Sequence, residues 1–176
     1  MDYSHLEPEG AGMLLVYQDT TFLLERNPDY IKNDKRRHEL EYPGGKIEKG
    51  ETYKSCAIRE VKEETSNILE IDETQLSEDK SVIIKSPAGK GICIFVVNLT
   101  SEQFNLIATI SLRLAQNCLK DKIHNETMGM VSIPLVELIN YIKEERKSLV
   151  NDMPLRQFNK FLIMELIKQE KIHSRL

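Results

Sequence analysis

Between Thr52 and Thr65 the chain has neither glycine nor proline and is rich in good helix formers, so a helix is expected there. The adjacent glycines Gly44 and Gly45 precede it and are expected to form the turn from which it is entered. Within the helix Glu60, Glu63 and Glu64 are spaced i, i+3 and i+4, which puts three carboxylates on one face. Like charges at that spacing destabilise a helix by roughly a few tenths of a kcal/mol per pair, so the arrangement is unfavourable unless a cation sits among them. Ile58 and Val61 lie on a different face, suited to packing on a sheet, while Arg59 stands one turn before Glu63 and can pair with it. This helix must therefore bury one side and keep the other open. All-oxygen donors suit hard cations such as Mg²⁺ or Mn²⁺ and suit zinc poorly when no histidine or cysteine joins them. Cys56, one turn before Glu60, reads as a small packing residue. Taken alone, a Glu-rich helix reads first as a solvated acidic face.

The rest of the chain supplies a sheet for that helix to pack on. Residues 11–18 and 21–26 are short apolar runs separated by Asp19 and Thr20, the pattern of a hairpin. Residues 27–38 form a polar connection holding Lys32, Lys35, Arg36 and Arg37, the densest basic cluster in the chain, which by itself reads as a solvated loop. Two more strands are expected at 81–85 and 91–99, joined at Ser86-Pro87-Ala88-Gly89. A helix over 111–120, a strand over 128–133 and a helix opened by Pro134 through 135–146 follow. In the last segment Leu155, Phe158, Leu162 and Leu166 make an apolar stripe that reads as core packing of a C-terminal helix. No repeat or linker interrupts this order, so 176 residues are read as one α+β domain over 1–176.

A net charge of -4 argues against a protein that coats nucleic acid, because such binding rests on many cations neutralising phosphates. Cys56, Cys93 and Cys118 are odd in number and far apart, which fits neither a disulfide framework nor a zinc knuckle and points to a reducing compartment. The start of the chain lacks a basic stretch followed by an apolar run, and no apolar segment approaches the roughly 20 residues of a membrane span. A cytoplasmic or nuclear protein without a membrane partner is expected.

The stretch from Gly45 resembles the Nudix box. Gly45, Glu51, Arg59, Glu60, Val61, Glu63 and Glu64 all fall in its register, which displaces the reading of a merely solvated acidic face. The pattern departs at its end, where the family's last glycine is Ser66 and the next aliphatic is Asn67, with Ile68 following. Because asparagine tolerates the left-handed conformation that ends such a helix, the stop is expected one position later. The resemblance implies a mixed β-sheet sandwiched between α-helices, here with an extra C-terminal helix. It also implies a metal-dependent pyrophosphohydrolase that uses Mg²⁺ or Mn²⁺. On this sequence the implied metal ligands are Glu60, Glu63 and Glu64, with the Gly44 carbonyl as an additional one, and Glu51 and Arg59 brace the loop and helix beside Gly45. Many members take a further acidic residue from a late loop as ligand or base; Glu126 is the candidate here and His124 the weaker alternative, an exposed loop glutamate being the bland reading. Glu60, Glu63 and Glu126 are thus the carboxylates expected to serve catalysis. Bound metal would invert the sign of the acidic site, polarise phosphoryl oxygens and lower the pKa of a water for in-line attack.

Lys46 could add a positive charge near the same phosphates, and Lys35, Arg36 and Arg37 would steer polyanions toward the glycines. Three substrate classes stay open: nucleoside di- or triphosphates and their conjugates, a capped RNA 5′ end as in mRNA decapping, and a diphosphoinositol polyphosphate. Tyr17, Phe22, Tyr30, Tyr42 and Phe95 could stack on a base but read mainly as core. Expected partners are a phosphate-containing small molecule or a capped RNA end, with a homodimer also open. A catalytically silent nucleotide-binding module of the same fold is the alternative from another class; such modules usually lose box carboxylates, and this chain keeps them.

Overall fold

The computed structural model describes residues 7–32, 38–85, 89–144, 153–155, 157–169 and 171–172, without the side chains of 157–159. Strands β1 (Pro8–Tyr17) and β2 (Thr20–Arg26) form the expected hairpin, with Leu15 opposite Phe22 and Tyr17 opposite Thr20. The loop is Gln18-Asp19 rather than Asp19-Thr20, and Gln18 takes the left-handed conformation (φ 53°) that a tight two-residue turn demands. Beyond Leu15 and Phe22 the two strands separate. Strand β3 (Leu40–Glu41) pairs with Leu24 and Glu25 of β2, and β4 (Gly44–Lys46) pairs with Gly10–Gly12 of β1. The Met13 N–H donates to the Pro43 carbonyl at 3.0 Å, which closes the seam between them.

Gly44 and Gly45 are therefore strand residues and not a turn. They are small because the chains approach closely: a Cβ on Gly44 would lie 2.7 Å from the Cα of Gly12. Between Gly44 and Thr52 the glycine with turn conformation is Gly50, at φ 88°. On its other edge β1 runs parallel to β6 (Gly91–Asn98), which pairs antiparallel with β5 (Ser81–Lys85), while β7 (Thr127–Pro134) closes the far edge of β2.

The near-continuous apolar run of β1 is the mark of a strand buried on both faces. Met13 and Leu15 join Phe22, Val61, Phe95 and Ile110 in one core; Leu14 and Val16 join Leu23, Ile94, Leu138 and Leu162 in the other. Each fully buried side chain of this size contributes on the order of 1.5–3 kcal/mol. Helices α1 (Tyr53–Glu64) and α2 (Ser101–Lys120) belong to the first core, α3 (Leu135–Lys143) and α4 (Gln157–Lys168) to the second. This is the mixed sheet between helices that the box resemblance implied.

Helix α2 starts well before the expected 111–120. Thr100 opens it with a reciprocal cap, its N–H donating to Gln103 Oε1 (2.9 Å) and its Oγ1 accepting from the Gln103 N–H (3.2 Å). Helix α3 ends at Lys143, not 146, with Pro134 at its N-cap. Leu155 precedes α4 and bridges to Leu40, whereas Leu162 and Leu166 are buried on the helix; the Phe158 side chain lies outside the described residues. Lys35, Arg36 and Arg37 also lie outside them. Among the described residues no helix is long and apolar enough to cross a membrane.

Candidate active site

Helix α1 is fixed at both ends. Thr52 Oγ1 accepts from the Ser55 N–H (3.1 Å) while Ser55 Oγ accepts from the Thr52 N–H (3.0 Å). At the other end the Ser66 N–H donates to the Glu63 carbonyl (3.1 Å) and the Asn67 N–H to the Lys62 carbonyl (2.7 Å), the paired bonds of a Schellman cap. That bonding makes Ser66 itself left-handed (φ 57°), with Asn67 following at φ 60°. The stop is thus not displaced to Asn67: cap geometry, not the side chain, selects the position. The Ser66 hydroxyl accepts from Asn117 Nδ2 of α2 at 3.2 Å, which anchors the turn.

Arg59 joins this helix to the segment before it. Its Nε and Nη2 grip the two Glu51 oxygens at 2.7 and 3.1 Å, and Nη2 also donates to the Lys46 carbonyl at 3.1 Å. Its Nη1 meets Glu60 Oε1 (2.8 Å) and Glu63 Oε2 (3.1 Å). The hydrogen bonds from Arg59, then that from the Glu48 N–H, hold the Glu51 carboxyl down at about 2.

The Glu60 carboxylate lies directly against Gly45, where an added Cβ would stand 2.2 Å from Oε1. Burial raises its pKa, against the pull of Arg59. Glu64 Oε2 accepts from the Gly44 N–H at 2.8 Å. Its pKa is raised well above the usual carboxylate range, first by burial and next by the Glu41 charge, with Glu60 and Glu126 adding to the effect. Glu41 of β3 is buried and paired with Arg26 (3.2 Å), whose other nitrogen reaches Glu126 at 3.5 Å.

Glu41 and Arg26 had no place in the sequence reading. A two-residue strand has no period, and only its pairing with β2 reveals where Glu41 comes to lie. The loop carrying Glu126 is held by buried Asn27, whose amide donates to the carbonyls of Lys122 (2.5 Å) and Asn125 (2.7 Å). The Asn27 N–H donates to the Glu126 carbonyl at 2.8 Å.

A cleft of about 580 Å³ gathers Glu60, Glu63 and Glu64 with Arg113 of α2 and with His124 and Glu126 of the loop before β7. His124 is engaged with Asp121 at 2.9 Å. Gly44 and Lys46 are not among the walls, and Lys46 is exposed at the end of β4. The carboxylates suit a hard divalent cation on two counts: the donors are oxygens, and burial, with the repulsion of neighbouring carboxylates added, raises the energy of the fully charged state. As they stand, Glu60 and Glu63 face Arg59, and among the described residues no three histidine, cysteine or acidic side chains form a ready cage. A cation would therefore be taken up in exchange for part of the Arg59 pairing.

The NUDIX domain profile matches residues 7–104, more than half of the chain. No curated protein sequence matches it. Among solved structures, the chain is similar to a Caenorhabditis elegans Ap4A hydrolase binary complex, at 20% identity over 74% of this chain and 83% of that one, with a TM-score of 0.46. It is also similar to a bifunctional NMN adenylyltransferase/ADP ribose pyrophosphatase from Francisella tularensis, solved with AMP and a manganese ion. That likeness has 16% identity over 91% of this chain and a TM-score of 0.51, and it spans 41% of the bifunctional protein. A MutT/nudix family protein from Enterococcus faecalis matches at 21% identity over 52% of this chain and 37% of that one, with a TM-score of 0.38. The profile match takes in β1 through the start of α2 and stops before Arg113, His124 and Glu126.

Proposed function

The chain belongs to the Nudix family, hydrolases of pyrophosphate bonds, and on that premise we propose that it is a metal-dependent pyrophosphohydrolase. Its substrate in this reading is a nucleoside diphosphate derivative or a nucleoside triphosphate. The supporting observation is that Glu60, Glu63 and Glu64 share one cleft with Glu126, which the profile match does not reach. Glu60, Glu63 and Glu64 would hold Mg²⁺ or Mn²⁺, with Glu126 as a further donor. When bound, the cation supplies charge neutralisation for the diphosphate and a more acidic water.

The protein's own groups divide the remaining work. Arg59, locked onto Glu51 and the Lys46 carbonyl, keeps Glu60 and Glu63 oriented and the 46–51 segment against α1. The Gly44 N–H holds one oxygen of Glu64. Glu126, directed by Arg26 and by the loop that Asn27 fastens, would alternatively, when not a donor to the cation, accept the proton of the attacking water. Water then adds at one phosphorus and the bridging oxygen leaves with the other. Capped RNA or a diphosphoinositol polyphosphate would draw in addition on Lys35, Arg36 and Arg37, which lie outside the described residues.

The test is incubation of purified protein with Mg²⁺ or Mn²⁺ and a panel of nucleoside triphosphates, nucleoside diphosphate conjugates, capped RNA and diphosphoinositol phosphates. Metal-dependent release of a monophosphate or pyrophosphate from a small nucleotide is expected. Binding without turnover anywhere on the panel would favour the silent module.

A further inference from the structure

The cleft contains a cation that the catalytic reading leaves unused. Arg26 and Arg59 are both engaged with carboxylates, whereas Arg113 makes no hydrogen bond or ion pair with any described residue. It is nevertheless the one lysine or arginine among the described residues that line the cleft. Arg113 is exposed on α2, one turn before Asn117, so the two share a helix face. Asn117 is bonded to Ser66, in the turn that directly follows Glu64. Arg113 thus belongs to the wall joined to the carboxylate helix, in a cleft containing Glu60, Glu63, Glu64 and Glu126, and it pairs with none of them. Family membership does not speak to this residue, because the profile match ends at 104.

A guanidinium beside a carboxylate-rich cation site complements an anion that lies between them, and its planar fork fits phosphate oxygens two at a time. Cations held by α1 would neutralise the diphosphate under attack, leaving Arg113 for a phosphate further along the chain. We infer that Arg113 binds a phosphate beyond the cleaved linkage, so that substrates with three or more phosphates are preferred over diphosphate conjugates. This inference rests on the pyrophosphohydrolase reading.

The experiment compares ATP and ADP-ribose as probes with wild-type protein, Arg113→Ala and Arg113→Lys. Arg113→Ala is expected to raise KM for ATP about tenfold or more, the loss of a charge-assisted hydrogen bond, and to leave kcat and the ADP-ribose KM within about twofold. Arg113→Lys should recover part of the ATP affinity, since it keeps the charge but not the fork. An unchanged KM for ATP, or an equal loss on both substrates, overturns the inference. If wild-type protein hydrolyses neither probe, calorimetric binding of inorganic tripolyphosphate with Mn²⁺ decides the role of Arg113, while the enzymatic reading stands or falls separately on the full substrate panel. Binding about tenfold weaker in Arg113→Ala supports that role, and equal binding overturns it.

Discussion

At Gly45 a β-carbon would stand 2.2 Å from Glu60 Oε1, the movable end of a side chain, whereas at Gly44 it would stand 2.7 Å from the Gly12 Cα and 2.8 Å from the Ala11 carbonyl oxygen. Neither backbone atom can yield without disturbing the pairing of β1 with β4. The two neighbours should therefore fail differently. Gly44→Ala is expected to lower stability by about 1–3 kcal/mol, the cost of forcing atoms into a packed site. Gly45→Ala should change stability by less than about 1 kcal/mol but push the Glu60 carboxylate aside, reducing turnover by about 100-fold, as small misplacements of reacting groups do. Denaturant melts and kcat on the same two preparations check this; equal stability losses with equal kcat would remove the distinction. The same contact explains why a glycine stands at the head of the box: Gly45 provides the floor on which the Glu60 carboxylate rests.

On the scale of elements, the helix end carries the one departure from the box. Ser66 adopts φ 57° because the cap bonds from Ser66 and Asn67 require it, although an L-residue pays roughly 1–2 kcal/mol there. Its hydroxyl bond with Asn117 and the greater unfolded-state freedom of glycine offset part of that strain. Ser66→Gly is accordingly expected to raise stability by about 0.5 kcal/mol, read as a higher midpoint in a urea melt. A lower midpoint would mean that the Asn117 bond outweighs the strain.

Elements with a strong period were legible in advance: the hairpin of β1 and β2, helix α1 and the pair β5 and β6 all lie close to where their apolar patterns put them. The first half of α2 was missed although Thr100 and Gln103 have the spacing of a capping box. Strands β3 and β4 are too short for any period, and the glycines of β4 look like a turn until β1 is seen beside them. Glu41 shares this fate, since its nearness to Glu64 exists only through tertiary pairing.

For the molecule as a whole, the opening between β1 and β2 admits β3 and β4, and with α1 and the loop before β7 it assembles carboxylates from residues 41, 60, 64 and 126. The cost of that assembly is set against two apolar cores, in which the cysteines behave as small hydrophobic residues. Cys56, Cys93 and Cys118 are free thiols and buried, and burial pushes Cys56 and Cys93 up to about 11. The folded chain keeps those protons where an unfolded chain, with thiols near pKa about 8.5, would release them, so this contribution to stability is lost as pH rises from about 8.5 toward 11. At pH 8 the native protein should leave a thiol-specific disulfide reagent unreacted, and denatured protein should titrate all three thiols. Rapid labelling of the native state would contradict the packing described for α1, α2 and β6. The central claim, that the acidic face of α1 holds the cation that makes the diphosphate reactive, is tested most directly by kcat of Glu63→Gln at saturating Mn²⁺. Glu63 is 57% exposed in its side chain, so the substitution removes charge without opening the core. The account predicts turnover lower by at least about 100-fold with Tm essentially unchanged; wild-type turnover with normal metal dependence would contradict it.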